Sequence, residues 1–147
     1  MGLRRKSREI ALQFLFGHDF QGRRQDDSRS LEAELDEFRS SFKTGKKLFP
    51  YARQLITGIC SQLEDLDKVL AAHSHNWRLE RMSVVDRNIL RIAVYEMRYC
   101  EDVPAKVAIN EALEIAKYYS IPESIPFING ILDAVQADIL LDPGKKQ

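Results

Sequence analysis

DVPAKVAINEALEIAKYY, residues 102–119, reads as a helix that carries its own start signal, and FINGILD at 127–133 reads as part of another. Pro104 suits a first helical turn, where its missing N–H would have no partner in any case. Behind it Ala105, Ala108, Ile109, Ala112, Ile115, Ala116 and Tyr119 recur at helical spacing. This narrow stripe of mostly small side chains lets a neighbouring helix come close. Pro122 ends the element, and a last helix is expected from near Pro126. Asn129-Gly130 is a turn signal by local rules. Ile128, Ile131, Leu132, Val135 and Ile139 nevertheless keep helical phase through it, so the helix should continue. A glycine inside a helix costs about 0.8–1 kcal/mol relative to alanine; a close approach of another helix at Gly130 would account for it.

Working outward, Ser83 and Asp86 have the spacing of a capping box, with the carboxylate able to reach back to an orphan amide. The helix they open buries Val85, Ile89, Ile92, Ala93 and Met97. From Pro50 to about His73 the stripe Ala52, Leu55, Ile56, Ile59, Leu63, Leu66 and Leu70 predicts one long helix. Ser30 can cap a helix with Leu31, Leu35, Phe38 and Phe42 inward. The first helix spans about residues 3–19, with Leu3, Ile10, Ala11, Phe14 and Leu15 inward and Gly17 loosening its end. Gly22 to Ser28 and Lys43 to Lys47 are breaks. No stretch alternates as a half-buried strand would, so the chain reads as all-α.

The 147 residues suit one domain, and 44% hydrophobic with 30% charged residues is the balance of a soluble globular protein. No uninterrupted apolar run approaches the roughly 20 residues that span a bilayer. The amino terminus is basic and then apolar, as in a signal peptide, but Glu9, Gln13 and His18 interrupt it. A cytoplasmic protein is expected.

Lys+Arg and Asp+Glu balance at 22 each, so net charge says nothing for nucleic acid; distribution does. Arg4, Arg5, Lys6 and Arg8 crowd the first eight residues without an acid. On a helix the three arginines fall within about 100 degrees of arc. That face reads as opposite Ala11 and Phe14, with Lys6 at its flank, and the expectation is one exposed cationic patch. Arginine suits phosphate because its planar fork donates two parallel hydrogen bonds. His73 and His75, two apart, do not share a helix face, so no metal site is expected there. Trp77 reads as an anchor between halves of the chain, and Cys60 and Cys100 as reduced thiols on helices. Phosphate-loop, dinucleotide and nucleophile-elbow motifs are missing, and nothing reads as assembled for catalysis.

RRKSREIALQFLF at 4–16, DRNILRIAVYEM at 86–97, DVPAKVAINEALEIAKYY at 102–119 and FINGILD at 127–133 together resemble the NusB family of bacterial transcription antitermination factors, from Arg4 to about Val135. The resemblance implies an all-α fold of about seven helices in two stacked helical subdomains. It implies a single domain over 1–147, its amino-terminal part reaching about residue 76 and its carboxy-terminal part running from 77 to about 142. No enzymatic activity, cofactor or metal is implied. The implied partners are boxA single-stranded RNA of ribosomal RNA leader transcripts, the ribosomal protein NusE, and through them the RNA polymerase antitermination complex. Homodimerisation stays open.

Carried over by position, the resemblance puts Arg4, Arg5, Lys6, Arg8 and Phe127 on the RNA and Phe16, Phe20, Glu80 and Asp86 at or near NusE. The chain departs from the family pattern at Pro126, where a lysine or arginine usually precedes the phenylalanine, while Glu123 keeps the acidic character of its position. Two other readings are an RNA-binding domain of the kind associated with ribosomal RNA cytosine methyltransferases, and a homodimeric helical scaffold without an RNA role.

Overall fold

The computed structural model describes residues 2–22, 30–41, 49–74 and 81–141, all of them helical or in short connections. Seven helices follow one another among them: α1 Gly2–Gly22, α2 Leu31–Ser40, α3 Phe49–Ser61, α4 Leu63–His73, α5 Val84–Tyr99, α6 Ala105–Tyr119 and α7 Ser124–Leu141. The expected all-α class is the observed one. Residues 75–80, around the expected subdomain boundary, lie outside the described residues, as do His75, Trp77 and Phe42.

α5 is the axis of the molecule. It packs against α1, α3, α4, α6 and α7, and its buried residues run unbroken from Asp86 to Val94. Ile89, Leu90, Ile92, Ala93, Val94 and Met97 join one apolar cluster that draws on all seven helices. The small stripe of α6 works as expected over its middle, where Ala108, Ala112 and Ala116 are buried as α6 packs against α5, but Tyr119, expected to continue it, is exposed at the helix end.

The helix starts follow local chemistry. Ser30 Oγ accepts from the Ala33 amide at 3.1 Å, and Ser83 Oγ accepts from the Asp86 amide at 3.0 Å, each satisfying a donor that the first turn leaves open. Pro104 sits at the N-cap of α6, and its carbonyl takes the first helical bond, from the Ala108 amide, at 3.0 Å.

The single helix expected from Pro50 to His73 is two. Gln62 leaves helical geometry at φ −111°, ψ 18°, and its amide is shared between the Gly58 and Ile59 carbonyls at 3.0 and 3.2 Å. Ser61 Oγ also returns to the Gly58 carbonyl at 2.9 Å. The apolar spacing Ile59, Leu63, Leu66, Leu70 runs undisturbed through this break, so periodicity could not announce it. α1 conversely continues past Gly17 to Gly22.

α7 runs straight through Asn129-Gly130, as hydrophobic phase predicted. The close helix contact expected at Gly130 is absent: it is exposed, and a Cβ there would meet nothing within 4 Å. The glycine that makes room for a neighbour is Gly58, where a Cβ would lie 2.0 Å from the Tyr95 hydroxyl. α7 is also the one described helix long and apolar enough to cross a membrane on length and composition alone. Its Ile128, Ile131, Leu132 and Val135 lie instead in the core.

The two glycines should therefore respond oppositely to alanine in urea unfolding. Gly130→Ala should gain about 0.8–1 kcal/mol of helix propensity. Gly58→Ala should lose about 1–3 kcal/mol by overpacking, because the Tyr95 ring must shift from its place 5.1 Å from the ring of Tyr99. Equal effects at both positions would mean that this packing has been misread.

Candidate nucleic-acid interface

The amino-terminal turns of α1 lie across α5 and α6, and the basic cluster is divided by depth. Arg8 is the innermost. Its Nε donates to both Glu96 carboxylate oxygens at 3.0 and 2.8 Å, and its Nη1 donates to Glu111 Oε1 at 3.2 Å. The Arg8 and Glu96 side chains are only 4% and 1% exposed. The Tyr51 hydroxyl also donates to Glu96 Oε2. Burial pushes the Glu96 carboxyl above its ordinary range, against the opposing pull of Arg8 and Tyr51.

Arg5 comes next, its Nε and Nη2 gripping Glu111 Oε1 and Oε2 at 2.9 and 2.8 Å. These bonds hold the Glu111 carboxyl below its ordinary range. Arg4 is outermost: Nη2 donates to Asp102 Oδ2 at 2.7 Å, and the guanidinium carbon lies 4.3 Å from the centroid of the Tyr51 ring. Lys6 is exposed.

The expectation of one exposed patch of four is thus corrected at Arg8. Arg8 precedes Ala11 by three and Leu15 by seven, so it shares their inward phase, and the face read as outward includes part of the true core face. The cluster's three acidic partners, Glu96, Glu111 and Asp102, were missed. Glu96 and Glu111 were detectable as carboxylates in phase with buried apolar residues, Glu96 four after Ile92 and Glu111 three after Ala108. A charge in that position implies a buried partner. Asp102, exposed in the turn between α5 and α6, gave no such signal.

A second ionic group joins the far end of α1 to α5 and α4. Asp19 accepts from Arg91 Nη1 at 3.0 Å and from Asn88 Nδ2 at 3.1 Å, with Arg87 Nη2 at 3.5 Å. Arg91 reaches back to Asp67 with two bonds of 2.8 Å. The histidine His73 is bonded rather than free, with Nδ1 on the Val69 carbonyl at 2.8 Å and Nε2 on Asp138 of α7 at 2.6 Å. Among the described residues no His, Cys, Asp and Glu side chains group as a metal would require.

Among the other expected site residues, Asp86 is buried and its carboxylate is engaged internally, not displayed to a basic partner. It accepts from Ser124 Oγ at 2.7 Å and from Ser120 Oγ, fastening α5 to both ends of the α6–α7 connection. This also replaces the backward reach of the expected capping box. Phe16 is 43% exposed on α1, and Phe127 is half-buried on α7, packed against the core. The side chain of Phe20 and all of Glu80 lie outside the described residues.

Residues 5–137 match the NusB family. Transcription antitermination protein NusB of Desulfosudis oleivorans is 46% identical over 139 residues, covering 95% of this chain and 88% of the relative. That of Desulfotalea psychrophila is 44% identical over 136 residues, covering 92% and 96%. Among solved structures, T. maritima NusB superposes with a TM-score of 0.76 at 40% identity, covering 92% of this chain and 91% of the other. A crystal structure of antitermination factors NusB and NusE in complex with double-stranded RNA shares the fold at a TM-score of 0.77 and 22% identity, covering 94% and 98%.

Two measurements check the division of the cluster. Arg8→Ala strands the buried Glu96 carboxylate, and loss of one partner of such a pair costs about 3–5 kcal/mol, read as a lower urea midpoint. Glu111 contributes differently. Because its carboxyl is held below the ordinary value of 4.5, its contribution is complete above that value and is lost as pH falls through the depressed one. Glu111→Gln should accordingly be less stable than wild type at pH 7, the gap closing below about pH 4.5. A gap that widens in acid would reverse the assignment.

Proposed function

This chain belongs to the NusB family, and we propose that it works as a transcription antitermination factor, binding boxA RNA of ribosomal RNA leader transcripts together with the ribosomal protein NusE. It does so as a binding module rather than an enzyme, in the cytoplasm where transcripts are made. The observation that carries this reading is the outer part of the α1 cluster. Arg4 is 45% exposed and Arg5 32%, with Lys6 open beside them. Arg4 also borders a cleft of about 250 Å³ whose apolar lining includes Leu3, Val103, Pro104 and Val107.

Cations beside an apolar surface suit single-stranded RNA, whose phosphates want charge and whose unpaired bases want flat or apolar contact. Phe127 on α7 supplies an aromatic ring for a base further along the strand. Arg8 contributes indirectly, by holding α1 in the place that presents Arg4 and Arg5. On the partner side, Phe16 on the exposed flank of α1 is assigned to NusE, with Phe20 and Glu80 as companions. Asp86 supports that side from within by fixing the α6–α7 connection.

The reading is tested by titrating boxA RNA, with and without NusE, at several salt concentrations. Three phosphate contacts at the single-strand coefficient of roughly 0.7 each give a log-log slope near −2. Arg4→Gln with Lys6→Gln should flatten the slope by about 1.4, two contacts at that coefficient, with helical circular dichroism unchanged. A slope untouched by losing both cations would remove RNA from this face.

A further inference from the structure

Resting on the RNA reading just given, we infer that Asp102 stands in for an RNA phosphate on Arg4 and thereby sets how tightly, and at what ionic strength, this end of the chain engages RNA. Arg4 is held on two sides. Its guanidinium carbon lies 4.3 Å from the Tyr51 ring centroid, and its Nη2 donates to Asp102 at 2.7 Å. Tyr51 is itself anchored through its hydroxyl to the buried Glu96. The cation is therefore presented in one place, whichever anion occupies its edge.

A carboxylate and a phosphate oxygen accept the same guanidinium hydrogen bonds, so one can replace the other. Exposure decides where this exchange happens. The Arg4 and Asp102 side chains are 45% and 64% exposed, and an exposed pair is weak enough in water to open. Glu111 is only 8% exposed and is shared by Arg5 and Arg8, so its displacement would leave a buried charge uncovered. The exchangeable anion is Asp102. It also borders the apolar cleft together with Arg4, so a phosphate arriving at Arg4 has apolar surface beside it for the attached nucleoside.

Asp102 opposes RNA by occupying a donor of Arg4. The test is fluorescence-anisotropy titration of boxA RNA onto the full chain with NusE present, comparing wild type, Asp102→Asn, Arg4→Gln and the double variant. Both side chains are exposed, and circular dichroism checks that every variant is folded. Asp102→Asn should bind about two- to fivefold tighter at low salt, the worth of an exposed ion pair, with a log-log salt slope steeper by up to about 0.7. In the Arg4→Gln background the same substitution should change little, because no guanidinium remains to release. Equal tightening in both backgrounds would show a diffuse field effect and overturn the inference, as would no tightening with Arg4 intact. An Arg4→Gln variant with wild-type affinity and slope would instead overturn the RNA reading at Arg4 itself, and the inference with it.

Discussion

The carboxylate of Glu96, almost wholly buried in the middle of the molecule, can exist there only because Arg8 and Tyr51 reach it. That requirement places α1. With Arg8 on Glu96 near the end of α5, and Asp19 on Arg91 and Asn88 nearer its start, the two helices run antiparallel and are pinned at both ends. Ala11, Leu12 and Leu15 lie between the pins, in the same apolar cluster as Ile89, Ile92 and Ala93. Apolar contact alone is tolerant of sliding. A buried ion pair tolerates little, because a shift that separates its partners leaves a charge without water or counterion. The polar groups on α5 therefore act chiefly on register, while burial of apolar surface supplies the bulk of the stability.

Register matters because the proposed RNA-binding face is built on the same two turns of helix. One arginine points into the core to hold α1, the next grips a nearly buried glutamate, and the third lies over Tyr51 at the surface. Their availability to a phosphate rises in that order. Tyr51 links the two ends of the series, with its hydroxyl on the buried carboxylate and its ring beneath the outermost guanidinium. A basic cluster that looks uniform in sequence is thus part buried foundation and part exposed surface. Its electrostatic reach is smaller than the count of cations suggests, since Asp102, Glu111 and Glu96 sit among them.

Much of the fold is legible in the sequence because helices announce themselves by period. The α5 and α6 stripes, the Ser30 and Ser83 caps and the passage of α7 through Asn129-Gly130 all follow from spacing and capping chemistry. The division at Gln62 is not legible that way, since the apolar phase continues across it and the break lies in backbone bonds to Gly58 and Ile59. Gly58 and Gly130 look alike in a helical pattern, and only the position of Tyr95 separates them. For the candidate site, residue type pointed to the cationic end of α1, but the depth of each arginine did not follow from it. A charge on an inward phase is buried with a partner from another helix, and pairing Arg8 with Glu96 across 88 positions is a tertiary fact. Asp86 shows the same limit, for its hydroxyl partners are Ser120 at the end of α6 and Ser124 at the start of α7.

The difference between a structural arginine and an exchangeable one on the same helix is reported directly by arginine Nε–H resonances followed by nuclear magnetic resonance during titration with boxA RNA. The Arg8 Nε–H, bonded to both oxygens of Glu96, should keep its position and its protection from solvent exchange throughout the titration, while the Arg4 signal moves as its guanidinium changes anion. A large shift or loss of protection at Arg8, with Arg4 stationary, would contradict it.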